Sequence, residues 1–152
     1  MSDYYKNKAI RAKKLYDEGN PWVKVYATVR IGDNFLVLKH NDEYMLAGGG
    51  VDENESFEEA VKRELLEELN VEVEIIKELG VYDKLYVPWK LGNEEFKVQY
   101  EIHVFDTRLI KHVDGKLGLD GEFNDNTKIA LIDKETLLSE VVEFKSFKIN
   151  LE

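Results

Sequence analysis

Three carboxylates crowd the stretch RELLEELNV, residues 63 to 71: Glu64, Glu67 and Glu68. On a helix of about 3.6 residues per turn, Glu64 lies one turn before both of the others, so all three project from neighbouring parts of one face. Left alone, like charges at that spacing repel and raise one another's pKa. A hard divalent cation, Mg2+ or Mn2+, removes both penalties, because it prefers carboxylate, carbonyl and water oxygens and reaches substrate phosphates through the waters it keeps. Upstream, Gly48, Gly49 and Gly50 let backbone groups approach an ion or a phosphate as no residue with a Cβ can. Glu55 precedes the helix and Arg63 lies two turns on, so the guanidinium can clamp a carboxylate through a bidentate pair and fix the loop against the helix. Asn70 falls where a helix is followed by a left-handed residue, for which Asn is the usual second choice after Gly.

A glutamate-rich helix is ordinarily just a solvated face. Here the glycines, Glu55 and Arg63 recur at fixed spacing around the three glutamates, and that pattern is far more specific than the glutamates alone. Read from Gly49, the segment GGVDENESFEEAVKRELLEELNV resembles the Nudix box, G-x5-E-x7-R-E-U-x-E-E-x-G-U with U an aliphatic residue. Gly49, Glu55, Arg63, Glu64, Leu65, Glu67, Glu68 and Val71 match, and Asn70 stands in place of a glycine. Outside the fixed positions, Ala47 stands where many members have proline and Asn54 where many have glycine.

The resemblance implies an α+β fold, an α/β/α sandwich with a mixed β-sheet and the metal-binding loop-helix at its edge. It also implies metal-dependent hydrolysis of a nucleoside diphosphate linked to another group X. By carry-over Glu64, Glu67 and Glu68 would bind Mg2+ (or Mn2+), with a carbonyl of Gly48 or Gly49 as a further ligand, and Glu55 and Arg63 would hold the loop-helix geometry. Metal ions would neutralise the diphosphate and lower the pKa of an attacking water. The catalytic base would be a box glutamate, Glu67 or Glu64, or a carboxylate on a late loop, Glu122 with Asp120 and Asp125 as rivals. Gly49, Gly50, Lys39 and Tyr86 are the candidate substrate contacts. An exposed edge lysine, and an aromatic core or dimer contact built from Tyr82, Tyr86, Trp89 and Phe96, are the plainer readings of the last two. A triphosphate-cleaning pyrophosphohydrolase is the runner-up function. A non-catalytic nucleotide sensor of the same fold is the alternative of another class, although such a module is expected to lose box carboxylates that this chain keeps.

The rest of the sequence bounds these readings. At 152 residues the chain is expected to form one domain. It has no cysteine, which excludes disulfides, zinc-thiolate sites and thiol nucleophiles. A formal charge of -10 disfavours nucleic-acid polymers as partners and leaves a small nucleotide as the expected ligand. No window is apolar enough for a membrane span and no signal segment opens the chain, so a cytoplasmic setting is expected. His40, His103 and His112 lack ligand spacing and read as surface or strand-packing residues, and the acidic late loop does not follow the calcium pattern.

Residues 3 to 18 favour a helix stopped by Gly19, Asn20 and Pro21, and residues 1–20 read as an extension ahead of a domain over 21–152. The extension would serve as a dimer arm or a lid, and a homodimer is one expected assembly. From Val23 the chain alternates as a half-buried strand, then turns at Gly32, Asp33 and Asn34 into the run Phe35 to Leu38. Ser56 and Glu59 form a capping box for a helix over 57–69. Strands are expected over 71–79, 82–87 and 95–105, with a turn at Leu91, Gly92 and Asn93. A long loop should follow over 111–127, then a strand over 129–132 and one C-terminal helix over 134–144.

Overall fold

In the computed structural model, residues 3–113 and 126–151 are described, save for the side chains of Tyr4, Asp83, Lys84 and Leu85. The strand β1 (Trp22–Ile31) is central to the sheet and pairs with three others. Its first half pairs antiparallel with β4 (Ala47–Gly50), which contains the three glycines, so that Val25 faces Gly49 and Lys24 faces Gly50. Its end pairs antiparallel with β2 (Asn34–His40) across the expected turn, and its other edge runs parallel to β6 (Glu94–His112). The short β3 (Glu43–Met45) and β7 (Thr127–Asp133) flank β2, and β5 (Val71–Leu91) closes the far edge against β6. One parallel pairing among antiparallel ones makes the sheet mixed, as expected.

Both faces of this sheet are covered. Val25, Ala27, Val29, Leu36 and Leu38 face α2 (Phe57–Leu69), which contributes Ala60, Val61, Leu65 and Leu69. Phe35, Val37, Ile102 and Val104 face α3 (Lys134–Glu140) and α4 (Val142–Phe147). The four-residue apolar run of β2 thus alternates between two buried faces, the pattern of an interior strand. β1 is likewise more buried than its alternation suggests, since Thr28 on the other face is enclosed and donates to Asp106 Oδ1 at 2.6 Å. The helix α1 (Asp3–Glu18) sends Ala12 and Leu15 into a third cluster with Trp22, Trp89, Phe96 and Val98. Among the described residues no helix is long and apolar enough to cross a membrane.

Three expectations change. The two strands foreseen over 71–79 and 82–87 are one, β5, whose register slips against β6 at several places including Glu78/Gly80 and Tyr82/Leu85. Each slip turns side chains to the other face, so the period of two breaks although the pairing continues. β6 in turn runs on to His112 and β7 begins at Thr127, and residues 114–125 of the expected loop, including Asp120, Glu122 and Asp125, lie outside the described residues. The single C-terminal helix is two, because Val141 takes an extended conformation (φ -74, ψ 129), is buried and bridges to Tyr44.

Candidate active site

The helix α2 begins and ends as its sequence dictates. Ser56 accepts from the Glu59 amide while Glu59 accepts from the Ser56 amide, both at 3.1 Å, completing the capping box. Asn70 ends the helix in the left-handed conformation (φ 56, ψ 44), with its amide bonded to Leu66 O. The departure from glycine at this position therefore leaves the helix end in the geometry a glycine would give.

Arg63 ties the helix to the loop. Its Nε and Nη2 donate to the two oxygens of Glu55 at 2.7 and 2.9 Å, the bidentate pair anticipated from the spacing. Nη2 also donates to Gly50 O at 2.9 Å, and Nη1 to Glu64 Oε1 at 2.9 Å. Glu67 Oε2 lies 3.6 Å from Nη1, and Asp52 Oδ2 lies 3.5 Å from Nε. Surrounded by these carboxylates, the guanidinium is held even more firmly in its charged form, chiefly by its bond to Glu55. The same bond holds the Glu55 carboxyl below its usual range.

The glycines bring the backbone against two buried carboxylates. Glu64 and Glu68 are 6% and 3% exposed, levels at which acidic side chains need partners. Glu68 Oε1 accepts from the Gly48 amide at 2.9 Å. A Cβ on Gly49 would stand 2.5 Å from Glu64 Oε1, so this carboxylate occupies space that only glycine leaves open. Glu67, on the same helix face, is the least buried of the three at 31% side-chain exposure.

All donors here are hard oxygens, which suits Mg2+ or Mn2+ and no softer metal. Among the described residues, no three acidic or histidine side chains converge at ligating distance in this arrangement, since Glu68 turns to the Gly48 amide and Glu64 to Arg63. The three glutamates nonetheless lie within about one turn of the same helix, which packs on the glycine strand. The residues present fit a divalent cation.

The other candidates sit apart from this cluster. Lys39 lines a cavity of about 300 Å³ with Asn41, Asp42, Asn126 and Lys128, whose walls include no residue of the box, and its ammonium lies over the Tyr44 ring. Tyr86 is 63% exposed on β5 opposite Gln99, whereas Phe96 is a core residue, Trp89 is half-buried against the same cluster and Tyr82 stacks on Phe147. His103 packs within the sheet, its ring nitrogens 2.9 Å from Glu78 and Glu101 and its ring against Phe57.

Residues not singled out from the sequence also shape the site. Asp52 approaches Arg63, and its amide donates to Glu55 Oε1 at 3.0 Å. Glu143 is buried and accepts from the Leu46 amide at 2.8 Å, just before the glycine strand. Arg11, on α1, donates to Val51 O at 2.8 Å. Asp52 might have been suspected from its place in the box loop; Glu143 and Arg11 carry no local pattern that marks them.

A family model described as the NUDIX domain matches residues 21–142. No curated protein matches the chain significantly. Among solved structures, a NUDIX hydrolase from Nitrosomonas europaea superposes with a TM-score of 0.56 at 18% identity, over 80% of this chain and 78% of that one. A MutT NUDIX hydrolase from Burkholderia pseudomallei gives 0.55 at 21% identity, over 75% and 84% of the two chains. An ADP-ribose pyrophosphatase from Streptococcus suis gives 0.52 at 17% identity, over 75% of each.

Proposed function

The chain belongs to the NUDIX family of hydrolases, and on that premise we propose that it cleaves the pyrophosphate linkage of a small nucleoside diphosphate derivative with the help of Mg2+. The observation that carries this reading is the pair of buried carboxylates, Glu64 and Glu68, set against a glycine strand on a helix whose Arg63 is pinned to Glu55 and Gly50. Two acidic side chains at 6% and 3% exposure beside a half-buried third concentrate negative charge at a cost that a bound cation would offset.

Glu64, Glu67 and Glu68 would hold the metal, with a backbone carbonyl of Gly48 or Gly49. When bound, the ion supplies charge neutralisation for the diphosphate and a more acidic water. Glu67, the most accessible of the three, is the box residue we assign to proton removal from the attacking water, with Glu64 and Glu122 as its rivals. Gly49 and Gly50 would present their backbone to the substrate phosphates, and Arg63 and Glu55 would keep loop and helix in register during turnover. We place the hydrolase domain over 21–152 with residues 1–20 as its extension, and assign it a small nucleotide as partner in a cytoplasmic setting. Lys39 and Tyr86 are retained as contacts for the outer parts of a substrate.

ADP-ribose, the substrate in the name of one similar structure, and the triphosphates of the runner-up reading head the panel to be tested. Phosphate or monophosphate release is measured with Mg2+ against these, nucleotide sugars and dinucleoside polyphosphates, beside Glu67→Gln. The expected result is turnover on one class that falls about 100-fold or more in the variant, the usual size of a general-base contribution. Turnover equal in both proteins removes Glu67 from the mechanism. No turnover on any class, with nucleotide bound, turns the reading to a sensor.

A further inference from the structure

Two guanidinium groups from two different helices hold consecutive carbonyls of the glycine loop. Arg63 donates to Gly50 O at 2.9 Å, and Arg11 donates to Val51 O at 2.8 Å. Arg63 belongs to the box, whereas Arg11 stands on α1, 40 positions before its acceptor and outside the matched residues 21–142. The two bonds restrain adjoining peptide planes.

The surroundings of Arg11 are built rather than incidental. Its guanidinium lies 5.3 Å from the centre of the Trp22 ring, within the range of a cation–π contact. Trp22 is 2% exposed, is stacked on Trp89 at 5.5 Å and shares its cluster with Ala12 of the same helix. A Cβ on Gly50 would stand 3.0 Å from Trp22 Nε1 and 3.7 Å from Arg11 Nη1, so the indole edge and the guanidinium lie directly against the loop. Among the described residues, Trp22 Nε1 is a buried side-chain donor without a partner, a cost the fold accepts to keep the ring pressed on Gly50. The Val51 amide completes the grip by donating to Val23 O at 3.1 Å.

We propose that Arg11 is a positioning residue for the glycine loop, and that α1 is through it a working part of the site rather than an appendage. Fixing the Val51 carbonyl fixes the chain that follows Gly49 and Gly50, and with it the distance between the loop backbone and the carboxylates of Glu64 and Glu68. The kinetic arm of the inference rests on the hydrolase reading; the structural arm does not.

The test uses the full chain with Arg11→Met, which keeps the aliphatic stem over Trp22 and removes the donors, and Arg11→Lys, which keeps the charge and loses the fork. Lys14→Met, an exposed change on the same helix, is the control. Amide hydrogen exchange over residues 48–53 is read with kcat and KM. Arg11→Met is expected to exchange several-fold faster in that segment and to lose about tenfold in kcat at nearly constant KM, since small misplacements cost rate more than binding. Arg11→Lys should recover part of both, and Lys14→Met should match the parent. If Arg11→Met melts below the assay temperature, Arg11→Lys carries the comparison. Equal exchange in the Arg11 variants and the control overturns the proposal, whatever the kinetics. A parent protein that hydrolyses nothing, with exchange raised only in the Arg11 variants, leaves the positioning role standing and overturns the hydrolase reading instead.

Discussion

Neighbouring glycines in the loop are required for different reasons, and the difference is measurable. A Cβ on Gly48 would overlap the Val25 carbonyl oxygen, a backbone atom in the strand pair that carries the loop. A Cβ on Gly49 would meet the carboxylate of Glu64, the movable end of a side chain. Gly48→Ala is therefore expected to lower stability by about 2 kcal/mol or more, because a strand must move. Gly49→Ala should change the melting temperature by only a few degrees while removing at least about tenfold in kcat, because it displaces Glu64. Thermal melts and steady-state kinetics on the two variants separate the cases, and a Gly49→Ala enzyme with full activity would remove Glu64 from the metal set. At this scale the sequence was highly legible: the capping box, the Arg63–Glu55 pair and the left-handed Asn70 all follow from residue type and spacing. Arg63's further bonds to Gly50 and Glu64 did not follow, since they depend on where the loop backbone passes.

Among the elements, the break at Val141 has consequences for the glycine strand. By ending α3 there, the chain places Glu143 under Leu46, where burial pushes its carboxyl above the ordinary range even as it accepts the Leu46 amide. A carboxyl that binds its proton more tightly folded than unfolded supports the fold most below its unfolded value of 4.5, and that support is lost as the pH rises through the higher folded value. Glu143→Gln keeps an acceptor for Leu46 without a charge. It is expected to raise the melting temperature at pH 7.5 and to change it little near pH 4; calorimetry at the two values checks the sign, and an equal shift at both defeats the argument. The sequence could not reveal this arrangement, because Lys134 to Phe144 reads as one helical stretch and the break at Val141 goes with its bridge to Tyr44. Local signals likewise failed for β5, where register slips erase the alternation that marks a strand, and succeeded for α2, where cap and apolar spacing agree.

Across the whole molecule, the formal charge of -10 opposes any polyanionic ligand at long range. At constant free Mg2+, kcat/KM for a nucleotide substrate is expected to rise a few-fold as ionic strength goes from about 0.02 to 0.15 M, where the screening length falls to about 8 Å. A fall over the same range would mean that local cations such as Lys24 and Arg11 steer the ligand in spite of the net charge. The three-layer architecture with its mixed sheet was expected from the family resemblance, but α1 was given only an appended place, because Ala12 and Leu15 make too sparse an apolar stripe to announce a packed face. Their partners are the two tryptophans of the chain, Trp22 and Trp89, which are stacked on each other next to Gly50. Both indoles thus sit in the cluster where α1 packs beside the glycine loop, so intrinsic fluorescence and the exciton band of the stacked pair form a label-free optical gauge of that junction alone.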